Sequence, residues 1–380
     1  GLFVYDASSV KIHWLEKNRR NLFELNSISS RRIAYVSYEY VSRNDLREEV
    51  WFSDSDGQSR TRVLGPDTPG PWPKDASIRG LLISPDGRQL AVLAKEFRRS
   101  PGNRISERCT LWTVNVDGSG LEQWPLDGFG LSDNRDFSLD GLGISGNRDL
   151  SLVAWGKEPN VLVISRRYRY PSKPVGQSLW LYDLDRRTVA EVYDDAGQAS
   201  WRTPLSPRGD LLAVRYPYGS PTGPRTLALL DLKTQAKSVI VEDTRLMMSG
   251  FQWDPTGKLV SYILVKTEEG GTASFIVAVY ALSEKKVVSE KVITSSKRWA
   301  AYLSSAWMPD GRSIVVADGD GRNLLFLGSD LQETGRVPLP AWITGPRGIA
   351  VLGRQLLIAD GGTGSLWRLD LESKRWKRIY

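Results

Sequence analysis

An all-β chain built of repeated four-stranded antiparallel units is what this sequence predicts, and three observations predict it. A turn of the form Ser-Pro-Asp-Gly, with short apolar runs on both sides, recurs along the chain. A second marker, an apolar pair often written Leu-Trp and followed by polar turn residues, recurs out of step with the first. No useful length of chain carries apolar residues at helical spacing; they alternate or form short runs bounded by Gly, Pro, Asp and Asn.

The turn unit is clearest at Ile83-Ser84-Pro85-Asp86-Gly87-Arg88-Gln89-Leu90-Ala91-Val92. It returns at Leu205 to Val214, Trp253 to Val260 and Trp307 to Val316, with weaker copies starting at Ile28, Ile144 and Ile349. Pro presets φ for a turn, Asp bonds back to the backbone, and Gly takes a positive φ, so each copy predicts a hairpin between the first two strands of a unit.

The second marker falls at Ile12-His13-Trp14, Val50-Trp51, Leu111-Trp112, Leu179-Trp180, Leu227-Ala228, Ile276-Val277, Leu324-Leu325 and Leu366-Trp367. These are eight third strands against seven inner turns. Leu2-Phe3-Val4-Tyr5-Asp6 through Trp14 aligns with Leu356 through Trp367, so the chain starts on the second strand of a unit. Eight units over 380 residues give about 47 residues each, the period of a propeller blade. The prediction is a β-propeller over 1–380 as a single domain, with eight four-stranded antiparallel blades, seven as the alternative, and a first blade incomplete at the N-terminus.

With strands labelled a to d from the centre outward, a-to-b and c-to-d turns share one face, and b-to-c and d-to-a connections share the other. The second set reads as long loops at Gly65 to Arg79, Lys95 to Arg108, Pro125 to Gly141 and Gly156 to Gln177. Long connections on one face of a repeat are usually functional. Blades after about residue 300 read as close to minimal.

Composition bounds the chemistry. The chain is 41% hydrophobic and 25% charged, with 51 Lys and Arg against 44 Asp and Glu, a net +7. One His (His13) and one Cys (Cys109) exclude a His-rich metal site, a Cys zinc cluster, an intrachain disulfide and any triad that needs a second imidazole. Apolar stretches such as Phe275 to Leu282 fall far short of a membrane span. The chain opens on Gly1 with a strand already under way, which predicts a processed or excised chain.

The basic residues concentrate in two of the long connections. Lys95, Arg98, Arg99, Arg104 and Arg108 stand against Glu96 and Glu107 in one; Lys157, Arg166, Arg167, Arg169 and Lys173 stand against Glu158 in the other, interleaved with Tyr168 and Tyr170. If 164–170 is extended, Arg167 and Arg169 project to one side and Tyr168 and Tyr170 to the other. Such a ribbon clamps carboxylates or phosphates by bidentate contacts; the bland alternative is a solvated hairpin. Net charge is modest for nucleic acid, which is disfavoured. Trp72, in Pro69-Gly70-Pro71-Trp72-Pro73, is the one Trp expected outside the core and the preferred aromatic contact, with a ring folded back onto the blades as its alternative.

Asp318-Gly319-Asp320-Gly321 resembles the start of a calcium loop, so Asp318 and Asp320 are the candidate metal ligands and calcium the candidate cofactor; otherwise none is expected. The parallel Asp360-Gly361-Gly362 favours a tight hairpin instead. His13 beside Trp14 reads as structural, Cys109 as an inert strand residue, and Ser145 sits outside the Gly-x-Ser-x-Gly spacing. No catalytic residue is assigned.

The Ser-Pro-Asp-Gly units followed by Leu-Ala-Val, with Leu-Trp after them, resemble the WD40-like (PD40-type) repeats of the periplasmic TolB family. Similar blades occur in prolyl-oligopeptidase-type propeller domains, and Gly345 to Asp360 is closer to an NHL-type repeat. The resemblance implies a bacterial extracytoplasmic propeller, periplasmic or cell-surface, that acts as a binding scaffold. The α/β domain of TolB and the hydrolase domain of the oligopeptidases have no counterpart in the sequence. The expected function is non-enzymatic: a monomer binding a protein partner or anionic polymer on the long-loop face through Trp72, Arg98, Arg99, Arg166, Arg167, Tyr168, Arg169 and Tyr170. The alternatives are a metal-assisted hydrolase or lyase using channel carboxylates from Asp318, Asp320 and Asp360, and a propeller that regulates a catalytic domain outside this sequence.

Overall fold

A computed structural model describes residues 2–6, 11–16, 23–29, 32–42, 45–54, 59–100, 104–126, 150–156, 160–170, 173–195, 205–216, 225–243, 246–267, 273–296, 304–318, 322–360, 363 and 365–378. The chain packs as two compact units, Gly1–Gly197 and Gln198–Tyr380. Among the described residues every regular element is a strand, and no helix is long and apolar enough to cross a membrane.

In the first unit, β1 (Leu2–Asp6) and β2 (Lys11–Glu16) form a two-stranded sheet. The second sheet runs β3 (Phe23–Ser29), β4 (Arg32–Ser42), β5 (Asp45–Asp54), β6 (Arg60–Leu64). The third runs β7 (Ser77–Ile83), β8 (Gln89–Ser100), β9 (Arg104–Asn115), β10 (Glu122–Trp124), and the fourth β11 (Leu150–Trp155), β12 (Val161–Tyr170), β13 (Lys173–Asp183), β14 (Thr188–Asp195).

In the second unit, the fifth sheet has three described strands, β15 (Leu211–Tyr216), β16 (Arg225–Asp231) and β17 (Lys237–Asp243). The sixth holds β18 (Leu246–Trp253), β19 (Leu259–Thr267), β20 (Ala273–Ala281) and β21 (Lys286–Ser296). The seventh holds β22 (Ser305–Trp307), β23 (Ser313–Ala317), β24 (Asn323–Gly328) and β25 (Glu333–Pro338); the eighth holds β26 (Pro346–Leu352), β27 (Gln355–Asp360), β28 (Ser365–Asp370) and β29 (Trp376–Arg378). Every pairing is antiparallel and between consecutive strands, so the architecture is seven meandering sheets of three or four strands, plus the β1–β2 hairpin.

The repeated turn works as its residues dictate. Gly87, Gly209, Gly257 and Gly311 each donate a backbone N–H three residues back, to Ser84, Ser206, Asp254 and Met308, at 2.7–3.0 Å. Their φ values of 66–73° explain why glycine occupies all four. Next to it, the c-to-d turn docks on the a-to-b turn: Val116, Leu184, Leu232, Leu282, Ser329 and Leu371 donate N–H to Arg88, Asn160, Asp210, Lys258, Arg312 and Arg354. One bond thus ties the two turns together in each of the third to eighth sheets.

Between neighbouring sheets the b and c strands supply most of the buried apolar residues. Ala34, Val36, Val50, Leu81, Val92 and Trp112 pack the second sheet on the third; Leu93, Leu111, Leu162, Ile164 and Tyr182 pack the third on the fourth. Three further clusters join the fifth to the sixth, the sixth to the seventh and the seventh to the eighth.

Two expectations need correction. Lys95 to Arg108 and Gly156 to Gln177 are not irregular loops: β8, β9, β12 and β13 run through most of both stretches. And because β11 takes the first place in the fourth sheet, its a-to-b turn is 156–160, closed by Gly156 N–H donating to Val161 O, rather than the copy placed at Ile144. Residues 127–149, which include Ile144, Ser145 and part of the Pro125 to Gly141 connection, lie outside the described residues.

Candidate functional site: three ribbons at one edge of the first unit

Strands b and c of the second, third and fourth sheets are 10–12 residues long. Their counterparts in the seventh and eighth sheets are 5–6 residues long. Strands a and d do not follow them outward. β3 pairs β4 only to Ser37, β7 pairs β8 only to Lys95, and β11 pairs β12 only to Arg166. On the other side β6 stops at Val50, β10 at Leu111 and β14 at Ser178. Each of these sheets therefore ends in a two-stranded ribbon with no described strand paired on either edge.

The roots of the ribbons are polar and held. Glu48, 9% exposed, accepts the Ser77 hydroxyl at 3.0 Å and the Ile78 N–H at 2.5 Å, joining the second sheet to the third. Three c-strand indoles donate to the side chain two residues earlier: Trp51 to Glu49, Trp112 to Thr110 and Trp180 to Ser178. The strand pleat places i and i−2 on one face, which is why the spacing repeats. Arg60 lies over the Trp51 ring at 3.8 Å.

Arg62 bonds Glu49 at 3.1 Å and Asp67 at 2.7 Å, pinning the Gly65 to Ala76 connection to β5. That guanidinium holds the Asp67 carboxyl below its usual range, and the two carboxylates hold Arg62 above its own. Within the same connection Trp72 is 5% exposed and packs edge-on against Trp112, ring centroids 5.5 Å apart. The expectation of a surface contact at Trp72 is corrected: its ring fills the seam between the second and third sheets.

The arginines and tyrosines predicted from sequence do lie on the ribbons. Arg98 stands opposite Ser106 and Arg99 opposite Ile105. Arg166 stands opposite Ser178, Arg167 opposite Gln177 and Tyr168 opposite Gly176; after a register shift that covers Arg169, Tyr170 stands opposite Lys173. The pleat then sorts these positions by face. Ala91 and Leu93 of β8 belong to the cluster shared with the fourth sheet, so positions 95, 97 and 99 continue that face. Leu90, Val92 and Ala94 pack toward the second sheet, and position 98 continues that opposite face. On β12, Leu162 and Ile164 pack toward the third sheet, so 166 and 168 continue inward to it while 167 falls on the other face. By strand alternation, positions 99, 166 and 168 continue the faces that the third and fourth sheets turn toward each other, and positions 98 and 167 the opposite faces.

Sequence reasoning missed the β4–β5 ribbon, which carries Tyr38 opposite Glu48, Glu39 opposite Arg47 and Tyr40 opposite Leu46. Its signal is the unbroken run of strand formers from Arg32 to Ser42 with no Gly or Pro.

Asp318 closes the turn after β23: it accepts the N–H groups of Arg322 and Asn323 and the Asn323 side-chain amide at 2.7–3.0 Å. Asp360, 1% exposed, accepts the Gly345 N–H at 2.7 Å and the Thr363 hydroxyl at 2.6 Å. Asp320 lies outside the described residues. Among the described residues no three His, Cys, Asp or Glu side chains are grouped to hold a metal. Cys109 is half-buried opposite Lys95, and the His13 side chain is outside the described set.

No family model matches this chain, and no curated protein matches it. Solved structures do. A prolyl endopeptidase is 12% identical over 94% of this chain and 49% of its own, with a TM-score of 0.56. A puromycin-hydrolyzing peptidase of Mycobacterium tuberculosis is 13% identical over 95% and 53%, with a TM-score of 0.54. An oligogalacturonate lyase in complex with manganese is 13% identical over 90% and 83%, with a TM-score of 0.52. The chain spans about half the length of the two peptidases. At such identities the likeness concerns architecture, and it agrees with the meander of small antiparallel sheets: the chain has a β-propeller fold like the propellers of those peptidases.

Proposed function

We propose that this chain is a non-enzymatic binding scaffold that holds an acidic protein segment or an anionic polymer on the three-ribbon edge of its first unit. The observation that carries this is that strands b and c reach 10–12 residues in three neighbouring sheets, against 5–9 in the second unit, and that each of the three bears arginine at its added positions, Arg47 in the second, Arg98, Arg99 and Arg104 in the third, and Arg166, Arg167 and Arg169 in the fourth. Guanidinium groups at these positions offer bidentate contacts to carboxylates. The Ser-Pro-Asp-Gly turns support a TolB-like, WD40-like ancestry of the blades, and with it an extracytoplasmic location and a monomeric state.

The test is binding of poly-L-glutamate and of polygalacturonate to the chain and to a variant with Arg166, Arg167 and Arg169 all changed to Ala. Weakened binding with an unchanged circular dichroism spectrum supports the scaffold; equal binding overturns it.

A second reading has its own observation. The chain spans about half of the prolyl endopeptidase, whose published subject is inter-domain dynamics in catalysis and specificity. On that reading this propeller regulates access to a catalytic domain elsewhere, and co-purification of a hydrolase with the tagged chain tests it. The manganese-bound lyase raises a metal-assisted role for Asp318, Asp320 and Asp360. The turn bonds made by Asp318 and Asp360 weigh against it, and a manganese-induced thermal shift that disappears in Asp318→Ala tests it.

A further inference from the structure

We propose that the cavity between the outer strands of the seventh and eighth sheets binds a small apolar monocarboxylate, with Lys374 as the cation that takes its charge. The site lies wholly in the second unit and goes beyond the ribbon reading above. The cavity measures about 410 Å³, within the range of small-molecule sites. Pro338, Leu339 and Pro340 at the end of β25 and Trp376 of β29 give it apolar walls, and Arg336 and Lys374 are its basic members.

Equivalent seams between sheets explain the space. The positive-φ residue that closes the c-to-d turn reaches back to the preceding sheet in three blades: Arg187 in the fourth, Leu331 in the seventh and Lys374 in the eighth. Leu331 is 2% exposed and fills its seam with the sixth sheet. Arg187 lies 5.1 Å over the Trp124 ring of the third sheet and pairs with Glu122. Lys374 lies 6.0 Å over the Phe326 ring of the seventh sheet, and among the described residues no carboxylate pairs with it. The register shows what is missing. Counted from the third-strand markers Leu111-Trp112 and Leu324-Leu325, Gly335 opposite Phe326 takes the place of Glu122 opposite Thr113. Val337 opposite Leu324 takes the place of Trp124 opposite Leu111. The seventh sheet thus lacks the acid and the indole that complete the earlier seam, and the cavity, which Val337 also lines, is the space left. A bound carboxylate at Lys374 restores the acid, and an apolar body against Trp376 and the prolines restores the buried ring.

The lining narrows the ligand. Both Glu333 oxygens engage Arg336, at Nε and Nη2, at 2.9 and 3.0 Å, so Lys374 is the cation left to meet a guest. Among the described residues no Ser, Thr, Asn or Gln lines the cavity, which leaves few partners for the oxygens of a phosphate or the hydroxyls of a sugar. Pro338 and Pro340 offer no N–H, which disfavours addition of a strand along this edge.

Equilibrium dialysis of 1-naphthoate against the whole chain tests this, with 1-naphthylmethanol as an uncharged ligand of the same body. The acid is expected to bind about fivefold or more tighter than the alcohol. Gly335→Glu places a carboxylate where Glu122 stands in the third sheet, and is expected to abolish binding; a Cβ there meets the Phe326 Cβ at 3.9 Å. Lys374→Gln is expected to weaken binding of the acid about fivefold, and Arg375→Gln, which removes the same charge outside the lining, less than about twofold. Gln235 holds the same positive φ in the turn of the fifth sheet, so Lys374→Gln keeps the fold even where Gly335→Glu does not. Equal losses in Lys374→Gln and Arg375→Gln reduce the effect to net charge and overturn the assignment, as does binding that survives Gly335→Glu in a folded chain. Equal affinity for acid and alcohol overturns the selection of a carboxylate. No binding of either at millimolar ligand overturns the site and leaves the ribbon reading of the first unit standing.

Discussion

Glu48 of β5 accepts the backbone N–H of Ile78 at 2.5 Å, so a buried carboxyl of the second sheet fixes the first residues of the third. Ser77 donates its hydroxyl to the same side chain. Glu48→Ala removes the acceptor and strands a buried N–H, which costs about 1–3 kcal/mol. Glu48→Gln keeps one acceptor oxygen and is expected to lose less. Urea midpoints of the two variants, with equal slopes, check the order.

Trp72 is expected to matter for stability and not for binding. Truncating a buried indole to Ala costs about 3–5 kcal/mol in proteins generally, and here the Trp112 ring loses its edge-on partner as well. Trp72→Phe keeps an aromatic edge and is expected to lose less. At a temperature where Trp72→Ala remains folded, its affinity for poly-L-glutamate is expected to equal that of the parent; a fall in affinity with no fall in stability would return Trp72 to the surface role its proline-rich setting suggests.

The legible and illegible parts of the sequence differ for physical reasons. All eight apolar pairs read as third strands lie in described strands, from Trp14 in β2 to Trp367 in β28, because a short apolar run marks a strand that packs within the blade. The ribbons read as loops because the apolar signal of a strand fades along them. Beyond Lys95 the apolar alternation stops, charges take over, and Pro101-Gly102 at the tip looks like a loop signal, although β8 and β9 pair out to Ser100 and Arg104. Trp72 failed in the opposite sense: four prolines shape its connection, and only packing against Trp112 shows that the loop folds inward. At Asp318 the acidic pattern was visible, but its amide partners at Arg322 and Asn323 depend on the turn.

Asp254 offers a swap experiment inside the repeat. Its carboxylate accepts the N–H groups of Thr256, Lys258 and Leu259 at 2.6–3.0 Å while 2% exposed. Ser84 and Ser206 stand at the same place in their turns, and their hydroxyls accept the two later N–H groups. Asp254→Ser is therefore expected to retain most of the stability, while Asp254→Ala loses about 1–3 kcal/mol through unpaired backbone donors. Thermal melts of the pair decide it; equal losses would mean that the charge, rather than the acceptor geometry, holds the turn.

The turns also set the response to acid. Backbone N–H donors hold Asp231 and Asp370 below the usual carboxylate range, side-chain hydroxyls do so for Asp86 and Asp117, and Arg62 does so for Asp67. A folded-state pKa below the unfolded value means that the unfolded chain binds protons first. The stabilisation is then present above the unfolded pKa of about 4 and is lost as pH falls through the lower folded values. Urea midpoints are expected to drop below about pH 4, and the double variant Asp231→Asn, Asp370→Asn should show a shallower drop, since two of the titrating turns no longer titrate.

Excision separates the ribbon's role from that of the sheet beneath it. Glu96 and Arg108 are cross-strand partners, so Phe97 to Glu107 can be replaced by Asn-Gly, whose two-residue turn matches the twist of the flanking strands. The described strands on either side stop short of the excised segment: β7 reaches only to Lys95 and β10 only to Leu111. The shortened chain is expected to keep its urea midpoint to within about 1 kcal/mol, because a shorter connection changes closure entropy only slightly. Its binding of poly-L-glutamate is expected to be lost, since Arg98, Arg99 and Arg104 go with the excised segment. A large fall in stability would instead assign the ribbon to the packing of the first unit, because a segment that only carries a partner can be removed without unfolding the blades that present it.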